Sequence, residues 1–500
     1  MQELLDAGWR AADAGQYAEA RAAFEQVIQR FGDVAELESR VRVVWAFEGK
    51  IWLLSELGRW SEMEVLLGEV LVRCREASDP RLRASVALAL LNRAIALTKL
   101  SRLEEAVAVR NEVIRRYSAE PPPDRPHALL EALEAKAWDL VELGRSREAI
   151  EACDELLARA GTPSDAFVQV LVASALLCRA RALRRLRDFD GAFAAIDQLL
   201  ARFGDADEVE LRRYVAEALL ERGLAYTELN LREVAVSVFD ELIDRSSDAT
   251  DPNIAQVVTR GLLEKARNLG SLGREKEALA VYDAVIGRCR GATSPQLREQ
   301  AASALIGKAE LLASSGQTGA ALEIIEALHA DLETSSDELN LLARVLLAKA
   351  DVLVEQERYA EAIDTSDVIA KRFPNSTDPE LRKSVVRALV QKVAVLWMLG
   401  RSSDAMIVFD EMVSRFGEEA LGIVDDEERK RADPKASDQR LRLASALLLR
   451  AMVLSETGRE DEGREALATI IAEFGDDEDQ NMVALVTAAR ETQDSPPDRD

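Results

Sequence analysis

The 500-residue sequence predicts an all-α fold, an α-solenoid of about eleven helix-turn-helix repeats. The first observation is a rhythm of short turns led by Gly15, Gly58, Ser101, Gly144, Arg187, Asn230, Gly273, Gly316, Glu357, Gly400 and Gly458. Seven successive steps are 43 residues long, and the next three are 41, 43 and 58. Self-similarity at such a period is the signature of a repeat architecture. The second observation is helical apolar spacing on both sides of each turn. The third is the lack of alternating apolar runs bounded by turn pairs, together with an abundance of Ala, Leu, Glu and Arg, all strong helix formers.

The elements follow from one unit. Ahead of Gly273, apolar residues recur at Val258, Leu262, Ala266 and Leu269. After it, Ala278, Val281, Tyr282, Val285 and Ile286 share one face. The first helix of a unit spans about 18 residues and the second about 15. Glycine suits the turn because it adopts positive φ without a Cβ clash. Pro80, Pro123, Pro252, Pro295 and Pro379 each lie 22 residues past their turn marker. Asp79, Asp251, Ser294 and Asp378 precede four of them. That pattern is an N-cap followed by proline at the first helical position, where the missing N–H costs nothing.

Length alone suggests several domains, but the unbroken rhythm predicts one continuous array over 1–475, its core shared between neighbours. The 58-residue step implies an insertion near 418–438, either a neutral exposed loop or a partner-contacting one. A single capping helix is expected at 478–491, and a disordered tail at 492–500.

The repeat resembles the tetratricopeptide repeat. With each turn marker counted as position 15, position 20 is Ala20, Ala106, Ala149, Ala192, Ala235, Ala278, Ala321, Ala362 and Ala405. Only Met63 and Gly463 depart. Position 8 is Gly8, Ala94, Ala137, Ala180, Gly223, Ala266, Ala309, Ala350 and Ala451, with Ile51 and Val393 departing. Position 24 includes Phe24, Phe239, Tyr282 and Phe409. Small residues let the two helices of a hairpin cross closely. The usual repeat is about 34 residues, so the extra residues here lengthen the start of the first helix and the loop before it.

The resemblance implies a right-handed superhelix whose concave groove is lined by positions 2, 5, 9 and 12 of the first helices. Position 9 runs Trp9, Trp52, Ile95, Trp138, Arg181, Leu224, Arg267, Glu310, Asp351, Ala394 and Met452. Trp45 falls at position 2 and Trp397 at position 12, leaving only Trp60 of the six tryptophans outside the set. The groove should therefore be aromatic near the N-terminus. It should be basic in the middle, through Arg181, Arg184, Arg185, Arg260 and Arg267, and then acidic at Glu310 and Asp351. The tryptophans are either recognition anchors or filler between repeats. The arginines either take carboxylates or phosphates of a peptide or form a solvated face that balances nearby acids. The family's chaperone-tail clamp needs Lys at position 5 and Asn at 9, but here Leu5 with Trp9 and Glu48 with Trp52 occupy them, so that acidic tail is not a partner.

Acidic residues outnumber basic ones, 90 to 64, for a net charge of −26. That balance disfavours nucleic acid and anionic membrane. No apolar stretch approaches the roughly 18 residues of a membrane span. The acidic, helix-patterned start is no signal peptide, so the cytoplasm is the expected compartment. Cys74, Cys153, Cys178 and Cys289 show no metal or redox spacing. They read as reduced core or semi-buried residues. His127 and His329 are the only histidines, far apart on different repeats, which argues against a triad or zinc site. Gly458 to Gly463 has the glycine spacing of a phosphate loop, but Arg464-Glu465 follow in place of Lys-Ser/Thr. No cofactor is expected. The sequence reads as a scaffold binding a peptide or protein partner in its groove. The alternative is a sensor or regulatory subunit of a bacterial-type signalling or defence assembly with a separate effector chain. An enzyme with an unrecognised site comes last.

Overall fold

A computed structural model describes residues 1–34, 36–74, 79–119, 125–247, 250–291, 294–333, 338–374, 376–416, 447–448, 451, 454, 460–475, 483, 486–487 and 489–490. Among the described residues every regular element is a helix. The first hairpins are α1 (Gln2–Asp13) with α2 (Tyr17–Phe31), α3 (Leu37–Glu56) with α4 (Trp60–Arg73), and α5 (Pro80–Lys99) with α6 (Leu103–Tyr117). Next come α7 (Ala128–Glu142) with α8 (Ser146–Ala160), α9 (Ala166–Arg185) with α10 (Phe189–Phe203), and α11 (Val209–Glu228) with α12 (Arg232–Arg245). Then follow α13 (Pro252–Ser271) with α14 (Glu275–Cys289), α15 (Pro295–Ser314) with α16 (Thr318–Glu333), α17 (Leu339–Glu355) with α18 (Tyr359–Arg372), and α19 (Pro379–Met398) with α20 (Ser402–Phe416). The last described helix is α21 (Glu460–Phe474). Seven of the first helices run 20 residues, longer than the periodicity suggested, because the lead-in beyond the apolar stripe is itself helical. The predicted insertion, Pro123, the turn at Gly458 and the tail lie outside the described residues, as does most of the 478–491 segment.

Turn chemistry explains the rhythm. All ten described turn markers have positive φ, and Ser101, Arg187, Asn230 and Glu357 are the only non-glycine residues among those described that do. At Gly15 the N–H donates to Ala12 O at 3.0 Å, and the next N–H, of Gln16, donates to Ala11 O at 2.8 Å. These two bonds close a helix end and require the left-handed residue between them. The same pair recurs around Ser101 and Arg187. Helix starts follow the expected caps. Asp79 Oδ1 accepts from the Arg81 N–H at 2.9 Å, Asp251 Oδ1 from Asn253 at 2.9 Å, and Asp378 Oδ1 from Glu380 at 2.8 Å.

The chain forms two compact units, Met1–Glu264 and Lys265–Asp500, divided within α13. In the first unit each helix packs on the next, and α1, α3, α5, α7, α9 and α11 also pack on one another in series. In the second, α15, α17 and α19 do the same. Even-numbered helices do not approach each other so closely among the described residues. The odd-numbered layer is therefore the tighter one, and its outward surface is the concave, inner face of each unit.

The small residues sit at the crossings. Ala20, Ala94, Ala106, Ala137, Ala149, Ala235, Ala266, Ala278, Ala309, Ala321, Ala350 and Ala405 are fully buried. Gly8 and Gly223 face Phe24 and Phe239 so closely that a Cβ would lie 2.6 and 2.3 Å from ring carbons. Repeats are also stitched by charge. An acid on an even helix pairs with a base 25 residues on in the next odd helix, as in Arg179–Asp154 at 2.8 Å, Lys308–Asp283 at 2.6 Å and Lys392–Asp367 at 2.5 Å. Arg73 and Arg415 cap the chain after the preceding even helix, donating to Gly32 O at 2.9 Å and Pro374 O at 2.8 Å.

The helix α9 is long and apolar enough to cross a membrane by length and composition, with mean hydropathy 1.6, although the sequence reading saw no such stretch. It is a core helix by placement. Sixty-seven per cent of its most apolar 18-residue window is buried, and its C-terminal end carries the half-buried Arg181 and Arg184 and the exposed Arg185.

Candidate functional site on the inner face

The inner face of the first unit begins as an aromatic wall. Trp9, Trp45 and Trp52 remain 38, 37 and 38% exposed, and Ile95 is 41% exposed. The Trp9 ring meets Phe24 edge-on at 5.3 Å and lies 6.3 Å from Trp52, which in turn meets Tyr17 at 6.3 Å. Trp45, Glu48 and Trp52 form one stripe of α3, at helical spacings of three and four. Glu48 is half-buried. Burial raises its carboxyl above the usual range, and the Ser85 hydroxyl and the charge of Arg125 only partly oppose this.

Trp138 is half-buried and differently placed. Its Nε1–H donates to Ser174 Oγ at 2.9 Å, and the Ser174 hydroxyl donates to Glu134. The Arg181 guanidinium lies over the Trp138 ring, 4.9 Å from its centroid. Burial pushes the Glu134 carboxyl up, against the hydrogen bond from Ser174.

Three arginines of the middle segment, Arg181, Arg184 and Arg185, are committed to the protein itself. Arg181 Nε and Arg184 Nε donate to the two oxygens of Glu221 at 2.7 and 2.9 Å. Arg184 also pairs with Glu228, and Arg185 donates to Val141 O. Glu221 is buried, which by itself would raise its pKa, but Arg181 and Arg184 outweigh burial and hold it below the usual range. Arg260 is exposed. Beneath the face, Arg110 Nε meets Asp139 Oδ2 at 2.6 Å with both side chains 4% exposed, and Arg110 donates to Thr98 Oγ1 at 3.0 Å. The sequence reading missed this pair and Glu221. Arg110 stands at position 24, where most repeats place a bulky apolar residue (Cys153 and Ser366 also depart), and that charged substitution was the available signal.

The second unit gathers a different set on its own inner face. Arg267 and Glu310 are exposed, and Asp351 is half-buried. The Asp351 carboxylate accepts from Gln391 Nε2 at 2.8 Å, and Arg344 donates to Ser303 Oγ at 2.9 Å. Solvent reaches Glu310, yet protein mass surrounds it within the concavity. Its carboxyl is pushed up to about 7 by burial and then by Asp351, with Arg267, Arg387 and Arg344 opposing. A cavity of about 720 Å³ opens at the N-terminal ends of α15, α17 and α19, lined by Glu299, Glu338, Asn340, Arg344, Asp378 and Ser384 among others. The side chain of Trp397 lies outside the described residues. Among the described residues no group of His, Cys, Asp and Glu has a metal-holding arrangement.

A family profile described as tetratricopeptide repeat matches residues 5–40, 134–207 and 177–250. These stretches carry tetratricopeptide repeats. No curated protein matches the sequence. Similar solved structures include the apo form of RapI, with a TM-score of 0.45 and 13% identity, covering 73% of this chain and 96% of that one. The apo form of the quorum sensor NprR from B. thuringiensis has a TM-score of 0.39 and 13% identity, covering 69% and 99%. The human IFIT1 dimer with m7Gppp-AAAA has a TM-score of 0.40 and 13% identity, covering 92% and 87%. Trp9, Trp45, Trp52, Ile95 and Trp138 stand at positions 9 and 2 on successive odd-numbered helices of the first unit, α1, α3, α5 and α7. In the second unit the same positions bring Arg267, Glu310 and Asp351 together.

Proposed function

We propose that this chain is a protein-interaction scaffold that captures a peptide or protein partner on the inner face of Met1–Glu264. The observation that carries the reading is the trio Trp9, Trp45 and Trp52, each more than a third exposed on the concave layer. Exposed indoles clustered on a concave face act as binding anchors, because desolvating them on partner contact releases a large apolar area. A protein or peptide suits the face better than nucleic acid. The net charge is −26, and Arg181 and Arg184 already neutralise Glu221 rather than waiting for phosphate. All four cysteines are free and buried, which fits a reducing compartment such as the cytoplasm.

The test is a pull-down with the full chain from lysate of the source cells, followed by partner identification. Trp9→Ala combined with Trp52→Ala abolishes capture of a stoichiometric partner and leaves the helical circular dichroism spectrum unchanged. Capture that survives the double substitution overturns the reading.

A further inference from the structure

Resting on that reading, we infer that the aromatic wall recognises a partner segment bearing an arginine or lysine beside bulky apolar side chains, with the cation seated between Trp45 and Trp52 on Glu48. Three observations lead there. Among the described residues no cation lies within ion-pairing distance of the Glu48 carboxylate, on which Arg125 acts through its charge without an ion pair, whereas Glu217 and Glu221 of this unit are paired. Glu48 is flanked along its own helix by two exposed indoles, whose faces attract cations electrostatically. The first unit also contains a related cation–aromatic contact filled from within, although the acid there is not the counterpart of Glu48, which is Glu134, bonded to Ser174. Arg181, one repeat after Trp138, lies over that ring while its Nε donates to Glu221. One repeat after Trp52 the equivalent residue is Ile95, which is exposed and carries no charge. No guanidinium covers Trp9, Trp45 or Trp52 among the described residues. A partner's guanidinium or ammonium would supply at Trp52 what Arg181 supplies at Trp138, and would relieve the raised Glu48 carboxyl by ionic pairing. Apolar neighbours of that cation would rest on Trp9 and Ile95.

The experiment uses the full-length chain and two fluorescein-labelled dodecapeptides. One alternates leucine and arginine. The other replaces every arginine with citrulline, which is neutral and nearly isosteric. Fluorescence anisotropy is read at physiological ionic strength, which screens the general attraction of an acidic protein for a cationic peptide. The arginine peptide binds roughly tenfold tighter than the citrulline peptide, the scale of one desolvated cation–aromatic and ion-pair contact. Glu48→Gln, which keeps the hydrogen bond with Ser85, removes that difference. Glu19→Gln, at an exposed site on α2, leaves it intact. Equal binding of the two peptides, no binding of the arginine peptide, or a preference that survives Glu48→Gln overturns the inference. If Trp52→Ala abolishes binding of both peptides while Glu48→Gln changes neither, the scaffold reading stands and the cation is wrong. If neither substitution matters, both fall.

Discussion

At the residue scale, environment decides what a charged side chain does. Glu221 and Glu310 occupy the same kind of inner-face helix, yet their carboxyls move in opposite directions. Two guanidiniums hold Glu221 down, whereas burial and Asp351 lift Glu310 to about 7. An unfolded glutamate ionises near about 4.3. Between those two values the unfolded chain has released the proton and the folded chain still holds it. Stability therefore falls as pH rises from about 4 to about 7, and the loss is complete above that range. Glu310→Gln removes it. The variant should melt with the wild type near pH 4, progressively above it between pH 5 and 7, and at a constant advantage by pH 8. Melting curves that coincide at all pH values contradict this. Which of these side chains are free and which are paired was not legible in the sequence. In sequence, Arg181 fits a cation awaiting a peptide as well as one balancing nearby acids, because its partner, Glu221, lies 40 residues on. It stands at position 6 of the next repeat, outside the groove series.

At the element scale, the hairpin was almost wholly legible. The turn markers were visible even where Ser101, Arg187, Asn230 and Glu357 replace glycine, because spacing rather than identity reveals them. Helix length was underestimated, since a lead-in that lies beyond the shared apolar stripe carries little periodic signal. The close crossing of first and second helices has a measurable consequence. At Gly223 a Cβ would stand 2.3 Å from Phe239 Cε1, whereas at Gly68, inside α4, nothing lies within 4 Å. Gly223→Ala should destabilise by about 1–3 kcal/mol through overpacking. Gly68→Ala should stabilise by about 0.5–1 kcal/mol through helix propensity. Urea unfolding midpoints that shift in opposite directions support the crossing geometry, and a common direction contradicts it.

At the scale of the whole molecule, the sequence predicts one unbroken array, and the structure resolves two compact units divided within α13. Nothing in the repeat rhythm marks that division, because Gly273 follows Asn230 at the same 43-residue step as its predecessors. Charge adds to the account. The excess of acid over base disfavours anionic surfaces, while the aromatic wall of the first unit offers an apolar landing site. The most direct test of that wall is hydroxyl-radical footprinting of the full chain with and without the captured partner. Partner addition should reduce modification of Trp9, Trp45 and Trp52 and leave Val65 and Val72, exposed on the outer helix α4, unchanged. Protection of Val65 and Val72 with the three indoles still reactive would contradict capture on the inner face.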